Sequence, residues 1–130
     1  MRAAPESRVI AWLDAQLADT LYLSTISLAE LLLGIAVLPD GKRKAQLGVS
    51  LAAGVAALFG HRVLSFDAAS ATAYAEVVSR ARGAGRTIGV ADGQIAAIAA
   101  VKDLIVATRD VGPFEAAGVP VVNPWQPMAN

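Results

Sequence analysis

The sequence contains no cysteine and only one histidine, His61. Without cysteine there can be no disulfide bond, no thiolate metal site and no cysteine nucleophile. His61 falls in a predicted loop and no serine occupies a nucleophile elbow, which argues against a hydrolytic triad. The glycines of the segment 82–86 match neither a P-loop nor a dinucleotide fingerprint, because no strand precedes them at the right spacing.

Long apolar runs are also missing, although 55% of the residues are hydrophobic. The longest run, at 95–101, has about seven residues against the ~20 that a membrane-spanning helix needs. Alanine supplies much of the apolar count and favours helix rather than membrane insertion. The first residues have no apolar core of a signal peptide. We therefore expect a soluble, cytoplasmic protein that does not contact a membrane.

The charge balance is neutral, with eleven basic and eleven acidic residues. A protein that holds nucleic acid by charge alone usually has a basic excess, so a simple DNA-binding module is disfavoured. Two local basic clusters remain, one at Lys42, Arg43 and Lys44 and the other at Arg80, Arg82 and Arg86. Either cluster could contact phosphate, but solvated helix ends and turns are the more economical interpretation.

The 130 residues predict one α/β domain, 1–130, in which helices alternate with the strands of a parallel sheet. Strands are predicted at about 21–24, 63–66, 104–107 and 119–122. Helices are predicted at about 7–18, 42–59 and 91–102, with one through Leu28 that stops near Leu38 and one that begins after Asp67 as N-cap and ends near Gly83. A short helical turn is expected around Phe114.

The helix through Leu28 carries an apolar stripe at Leu28, Leu31, Leu32 and Ile35. The i, i+3, i+4, i+7 spacing is typical of a helix that faces the core of its own domain. We expect this face to be core rather than a groove for a partner.

Three carboxylates stand where parallel sheets commonly bind ligands, beyond the carboxyl ends of strands. Glu30 is in the first turns of the helix after the first strand, Asp110 follows the third strand, and Asp92 opens the helix that leads into that strand. Hard cations such as Mg²⁺ prefer oxygen ligands and are held by a few carboxylates plus water and phosphate. Carboxylates that converge there would suit metal-assisted phosphodiester chemistry.

Each carboxylate also has a purely structural interpretation. Ser27 and Glu30 have the spacing of a capping box. Asp92 in a first helical turn suits the helix dipole, and Asp110 is placed to cap the turn before Pro113. For each carboxylate taken singly, the structural role is favoured over a role in a metal site.

Three segments, taken together and in order, resemble the acidic motifs of PIN-domain toxins of the VapC and FitB type. The segment 23–35, which contains Glu30, resembles the second motif of that family, and 88–97, with Asp92, is similar to the third. The segment 107–115, with Asp110, resembles the fourth, and the ending 122–125 is also typical. The ordered set covers nearly the whole chain.

The resemblance implies a PIN-like three-layer sandwich and an RNA endonuclease that uses Mg²⁺, with Mn²⁺ as the alternative. It implies the toxin of a type II toxin–antitoxin pair, with a small DNA-binding antitoxin as partner and a homodimer as the usual assembly. Carried onto this chain, the resemblance makes Glu30, Asp92 and Asp110 catalytic metal ligands and Thr108 a supporting polar residue. The residues expected to touch RNA are Arg109, Lys42 and Arg43.

The chain departs from the family pattern at two places. Gly112 and Pro113 stand where relatives often carry a further polar or acidic residue, so Asp110 is the only acidic candidate there. Family members open with a central strand that ends in an aspartate, and the sequence shows neither that strand nor that aspartate. We expect either a start codon assigned too late or a decayed copy, a PIN-domain remnant that binds an antitoxin or a second subunit without cleaving RNA.

Overall fold

The computed structural model describes residues 11–12, 15–16 and 18–126, and it contains five helices longer than a single 3₁₀ turn within them. The 3₁₀ turn is Ala18–Thr20, and most of the helix predicted at 7–18 lies outside the described residues. The helices are α1 (Thr25–Ala36), α2 (Lys42–Leu58), α3 (Ala68–Gly83), α4 (Val90–Lys102) and α5 (Gly112–Ala116). Each lies within about two residues of its predicted position.

Four short strands form two parallel pairs. Strand β1 (Leu23–Ser24) pairs with β2 (Val63–Leu64), in the register Leu23 to Val63. Strand β3 (Val106–Ala107) pairs with β4 (Val121–Val122), in the register Val106 to Val121. Among the described residues these are two separate two-stranded sheets, and every strand lies inside the segment predicted for it.

The contacts divide the chain into two compact units, here called the N-terminal unit (within 17–65) and the C-terminal unit (mainly 66–126). The N-terminal unit holds β1, α1, α2 and β2. Ser24 is the N-cap of α1, because its hydroxyl accepts a hydrogen bond of 3.0 Å from the Ser27 N–H. The Arg62 side chain connects two segments of the unit, because it donates to the Leu21 carbonyl oxygen at 2.9 Å and to the Leu58 carbonyl oxygen.

The apolar stripe of α1 does not face a core as predicted. Neither α1 nor α2 has a buried residue, and Leu31 and Leu32 are 47% and 52% exposed. Leu28 and Ile35 are only half-buried. The expectation was wrong because a 3.6-residue period identifies an apolar face of a helix but not the surface that covers it.

The C-terminal unit contains the hydrophobic core, formed where α3 packs against α4 and α5. Its buried members are mostly small or β-branched, with Phe114 of α5 as the largest at 1% exposure. They are Val77, Val78, Ala81, Ala96, Ala97, Ala99, Val106, Phe114, Ala117 and Val119. Small side chains let the helix axes approach closely, which accounts for the many alanines of α4.

Gly93 lies at a close contact between α3 and α4. A Cβ at this position would lie 2.8 Å from Cε2 of Tyr74 and 3.1 Å from Cγ2 of Val78. Gly93 therefore lets the first turn of α4, which carries Asp92, sit directly on α3.

Asp67 caps α3 as the sequence predicts. Its carboxylate accepts a hydrogen bond of 2.9 Å from the Ser70 N–H, and this bond holds the pKa of Asp67 below its ordinary value. Separately, none of the helices within the described ranges combines the length and apolarity required to cross a bilayer.

Candidate active site

Asp92 is the third residue of α4, whose N-cap is Gly89 and has no side-chain cap. Its side chain is half-buried. Burial raises the pKa of Asp92, and the negative charge of Asp110 raises it further. A carboxylate in a first helical turn would by itself be favoured by the helix dipole. Desolvation and the neighbouring carboxylate both favour the protonated form of Asp92.

Asp110 follows β3 in an exposed turn. Its backbone N–H donates to Oγ1 of Thr108 at 3.3 Å, and the Thr108 N–H donates to the Val122 carbonyl oxygen at 2.9 Å, which extends the β3–β4 pairing by one residue. Thr108 thus connects the turn of Asp110 to the sheet. The alternative role of Asp110 as a helix cap is wrong, since the N-cap of α5 is Val111 and no side chain caps it.

The segment after β4 supports the same turn from the other side. Nδ2 of Asn123 donates to the Arg109 carbonyl oxygen at 3.3 Å, and Oδ1 of Asn123 accepts from the Trp125 N–H at 2.8 Å. The guanidinium of Arg109 lies 5.4 Å from the centre of the Trp125 ring, a cation–π contact. The sequence predicted an irregular tail from Asn123, with the ending 122–125 typical of the PIN-domain toxins, and it placed Arg109 at RNA, a role that stays a prediction.

Glu30 belongs to the N-terminal unit and is exposed on α1. Its capping-box interpretation is wrong, because α1 begins at Thr25 with Ser24 as N-cap and Glu30 is the sixth helical residue. In the described part of the chain, Glu30 has neither a hydrogen bond nor an ion pair from its side chain. A structural reason for this carboxylate is therefore absent, and its place in a metal site remains a prediction.

Lys42 and Arg43 open α2, also in the N-terminal unit. Cations in a first helical turn oppose the helix dipole, so helix stability does not account for them. Lys44 has a structural role instead. Its Nζ donates to the Ala36 carbonyl oxygen at 3.0 Å and pairs with Asp40 at 3.3 Å, which ties the end of α1 to the start of α2.

The structure brings Asp92 and Asp110 together, and the pair offers only oxygen donors. No cationic side chain pairs with either carboxylate, since the one ion pair found within the described ranges is Lys44–Asp40. Those same ranges hold no group of three or more His, Cys, Asp or Glu side chains placed to bind a metal ion. The pair therefore supplies two candidate ligands of the hard-oxygen type, one half-buried on α4 and one exposed after β3. Neither has a cationic partner among the described residues, which fits a divalent cation.

One feature near the pair was missed by sequence reasoning. A Cβ at Gly112, two residues after Asp110, would collide with Nη2 of Arg86 and lie 3.5 Å from its Cζ. Arg86 was noticed only as a member of a basic cluster, and Gly112 only as a departure from a pattern. A glycine two residues after Asp110 was the available signal of close approach.

Comparison with known proteins places this geometry in a family. The PIN-domain model matches residues 2–119. The chain therefore belongs to the PIN-domain family.

Three curated relatives narrow the assignment within that family. The plasmid stability protein StbB of Pseudomonas syringae pv. tomato is 50% identical over 96% of this chain and 90% of its own length. The VapC ribonuclease Y4jK of Sinorhizobium fredii is 46% identical over 97% of this chain and 90% of its own length. The toxin FitB of Neisseria gonorrhoeae is 47% identical over 96% of this chain and 90% of its own length.

A solved structure, that of FitAB bound to the IR36 DNA fragment, contains a chain with the same fold. The TM-score is 0.91 and the identity 44%, over 98% of this chain and 90% of that one. The protein is thus a PIN-domain protein of the VapC and FitB type, with the α/β fold predicted from its sequence.

Proposed function

We propose that the chain is a divalent-metal-dependent endoribonuclease and the toxin of a type II toxin–antitoxin pair. Membership of the PIN-domain family and the similarity to a protein named VapC ribonuclease and to one named toxin FitB support this proposal. The predicted cation is Mg²⁺, with Mn²⁺ as the alternative.

The observation that carries the proposal is the pairing of Asp92 with Asp110. Burial and the negative charge of Asp110 both raise the pKa of Asp92, and a bound cation would offset that cost. A divalent cation is the ligand that their chemistry fits, and Glu30 is the third carboxylate proposed to complete the set.

Each of these residues has a defined part in the proposed chemistry. Asp92 presents its carboxylate from the rigid start of α4, and Asp110 presents its own from a turn connected to the sheet by Thr108. When bound, the cation would supply the positive charge that offsets a phosphodiester in transit. The carboxylates would hold that charge in place, and Thr108 would keep the Asp110 turn in position.

An antitoxin is the proposed protein partner. The similar structure described above is an assembly called FitAB, bound to DNA, and we extend the idea of such a partner to this chain. The exposed leucines of α1 offer apolar surface of the kind that protein partners cover. A homodimer is also proposed, because the resemblance to the PIN-domain toxins implies it.

The test is cleavage of RNA by the purified chain with Mg²⁺, with and without a chelator. Asp92→Asn is the site variant, and Glu76→Gln, an exposed carboxylate on α3, is the matched control. We expect the wild type and Glu76→Gln to cleave only with metal, and Asp92→Asn to lose at least about 100-fold in rate. Equal cleavage by Asp92→Asn and the wild type would rule out the carboxylate assignment.

The alternative is a PIN-domain remnant that binds an antitoxin or a second subunit without cleaving RNA. It is favoured by one observation, that the described residues contain no group of three or more His, Cys, Asp or Glu side chains placed to hold a metal ion. A wild-type chain that folds and binds a partner but cleaves no RNA with Mg²⁺ or Mn²⁺ would support it.

A further inference from the structure

The guanidinium of Arg86 lies against the backbone of Gly112, on the C-terminal unit that also holds Asp92 and Asp110. Gly112 follows Asp110 by two residues, so their Cα atoms are at most roughly 7 Å apart. The absent side chain at position 112 is what makes room for Arg86, because a Cβ there would collide with Nη2 and lie 3.9 Å from Nη1. Arg86 therefore belongs to the surroundings of the acidic pair.

The backbone at Arg86 is held in place by the end of α3. The Arg86 N–H donates to the Ala81 carbonyl oxygen at 2.9 Å and the Gly85 N–H to that of Arg82 at 3.0 Å. With Gly85 at φ +75°, this is a Schellman cap. These hydrogen bonds fix the backbone from which the Arg86 side chain extends.

Gly112 is fixed as well. It is the first residue of α5, and α5 is anchored by Phe114, which is 1% exposed in the core. The backbone on each side of this contact is therefore held by a helix, α3 for Arg86 and α5 for Gly112.

The donors of Arg86 have no partner among the described residues. Its exposed guanidinium makes neither a hydrogen bond nor an ion pair there. Arg80, by contrast, donates to the Ala117 carbonyl oxygen at 2.7 Å. A planar fork of free N–H donors instead suits the oxygens of a phosphate.

We propose that Arg86 binds a phosphate of the RNA substrate beside the Asp92–Asp110 pair, and that Gly112 is the residue that admits it. This inference rests on the proposed ribonuclease function. Binding of one phosphate by Arg86 would position the strand next to the carboxylates, and Arg86 would act on the substrate directly, apart from the metal.

The experiment measures the affinity of a short labelled single-stranded RNA of mixed sequence in the presence of a chelator, across a series of salt concentrations. We compare the wild type with Arg86→Gln, Arg86→Lys and Arg82→Gln. Arg82 is the matched control because it is exposed near the end of the same helix and carries the same charge. The chelator removes cleavage, so that binding is read without the metal.

Loss of one phosphate contact on a single strand should lower the salt slope of the binding constant by ~0.7. We expect this change in Arg86→Gln, with roughly tenfold weaker binding, while Arg86→Lys keeps the slope and Arg82→Gln leaves both unchanged. The thermal unfolding midpoint of Arg86→Gln should match that of the wild type, which a structural role would not predict. An unchanged slope in Arg86→Gln, or an equal change in Arg82→Gln, overturns the proposal.

The Gly112→Ala variant tests the same contact from the side of the glycine. It should weaken RNA binding as Arg86→Gln does, and the double variant should bind no more weakly than either single one, because both remove the same contact. If Gly112→Ala does not fold, the three arginine variants decide the matter alone. A wild type that cleaves RNA while Arg86→Gln binds normally refutes the role of Arg86 only, whereas a wild type that neither binds nor cleaves RNA refutes this role and the ribonuclease function together.

Discussion

Beyond the effect of its own burial, the pKa of Asp92 is raised by the negative charge of Asp110, although the two residues are separated by 18 positions and lie on different segments. Asp92 is placed by the contact of α4 with α3, and Asp110 by the turn that leaves β3. The fold thus holds a half-buried carboxylate, Asp92, near an exposed one of the same charge, Asp110. This is the arrangement that a bound cation stabilises.

The raised pKa of Asp92 predicts that Asp92→Asn stabilises the metal-free protein at neutral pH. Below the ordinary value of 3.8 the carboxyl is protonated in both the folded and unfolded states and contributes nothing. As the pH rises through the higher pKa of the folded state, ionisation costs free energy that the unfolded chain does not pay. The gain should stay below about 1 kcal/mol because solvent screens a half-exposed group.

Chemical denaturation in a chelator at neutral and at acid pH measures this effect. The stabilisation by Asp92→Asn should vanish at acid pH, and added Mn²⁺ should stabilise the wild type but not the variant. A variant that is less stable than the wild type at neutral pH in the chelator would contradict the account of the pair.

Gly93→Ala should destabilise the protein by about 1–3 kcal/mol, because its Cβ would enter the space of Tyr74 and Val78. The control is Gly54→Ala in α2, where nothing lies within 4 Å of an added Cβ. That change should stabilise by about 0.5–1 kcal/mol through helix propensity. Denaturant unfolding of both variants is the measurement, and equal effects of the two substitutions would show that the α3–α4 contact is not tight.

Much of this fold could be predicted from particular residues. Asp67 as N-cap of α3, Pro39 and Gly41 after α1 and Gly83 at the end of α3 are local signals, and the helix ends follow them. The strands were predicted longer than they are, since apolar runs of four residues show a buried segment but not how much of it pairs. Pairing depends on a neighbour that the run itself does not specify.

The site was predictable as a set of acidic positions and not as a geometry. The order of the motifs identified Asp92 and Asp110, but the desolvation of Asp92 depends on the packing of α4 on α3 through Gly93. The contact of Arg86 with Gly112 joins positions 26 residues apart, and no local pattern encodes it. Likewise, the apolar periodicity correctly predicted a helix through Leu31 and Leu32, but it did not predict that these two side chains are exposed.

Asn123→Ala should slow RNA cleavage while leaving the fold intact. The side chain makes two hydrogen bonds, to the Arg109 carbonyl oxygen and from the Trp125 N–H, which brace the turn before Asp110. Their loss should cost about 0.5–1.5 kcal/mol of stability each, and a looser turn should lower kcat about tenfold or more with little change in KM.

Steady-state cleavage kinetics of Asn123→Ala check this expectation, beside Gln126→Ala, an exposed neighbour, as control. A fall in stability with unchanged kcat would show that the tail supports the fold but does not position Asp110.

We propose that Glu30, Asp92 and Asp110 hold one divalent cation, and the affinity of the protein for Mn²⁺ tests this proposal independently of any RNA target. Electron paramagnetic resonance of free Mn²⁺ gives this affinity for the wild type, Glu30→Gln, Asp92→Asn, Asp110→Asn and the control Glu76→Gln. The account predicts that each of the three site variants binds Mn²⁺ at least roughly tenfold more weakly, while Glu76→Gln binds as the wild type does. Wild-type affinity in Asp92→Asn or Asp110→Asn would contradict the account.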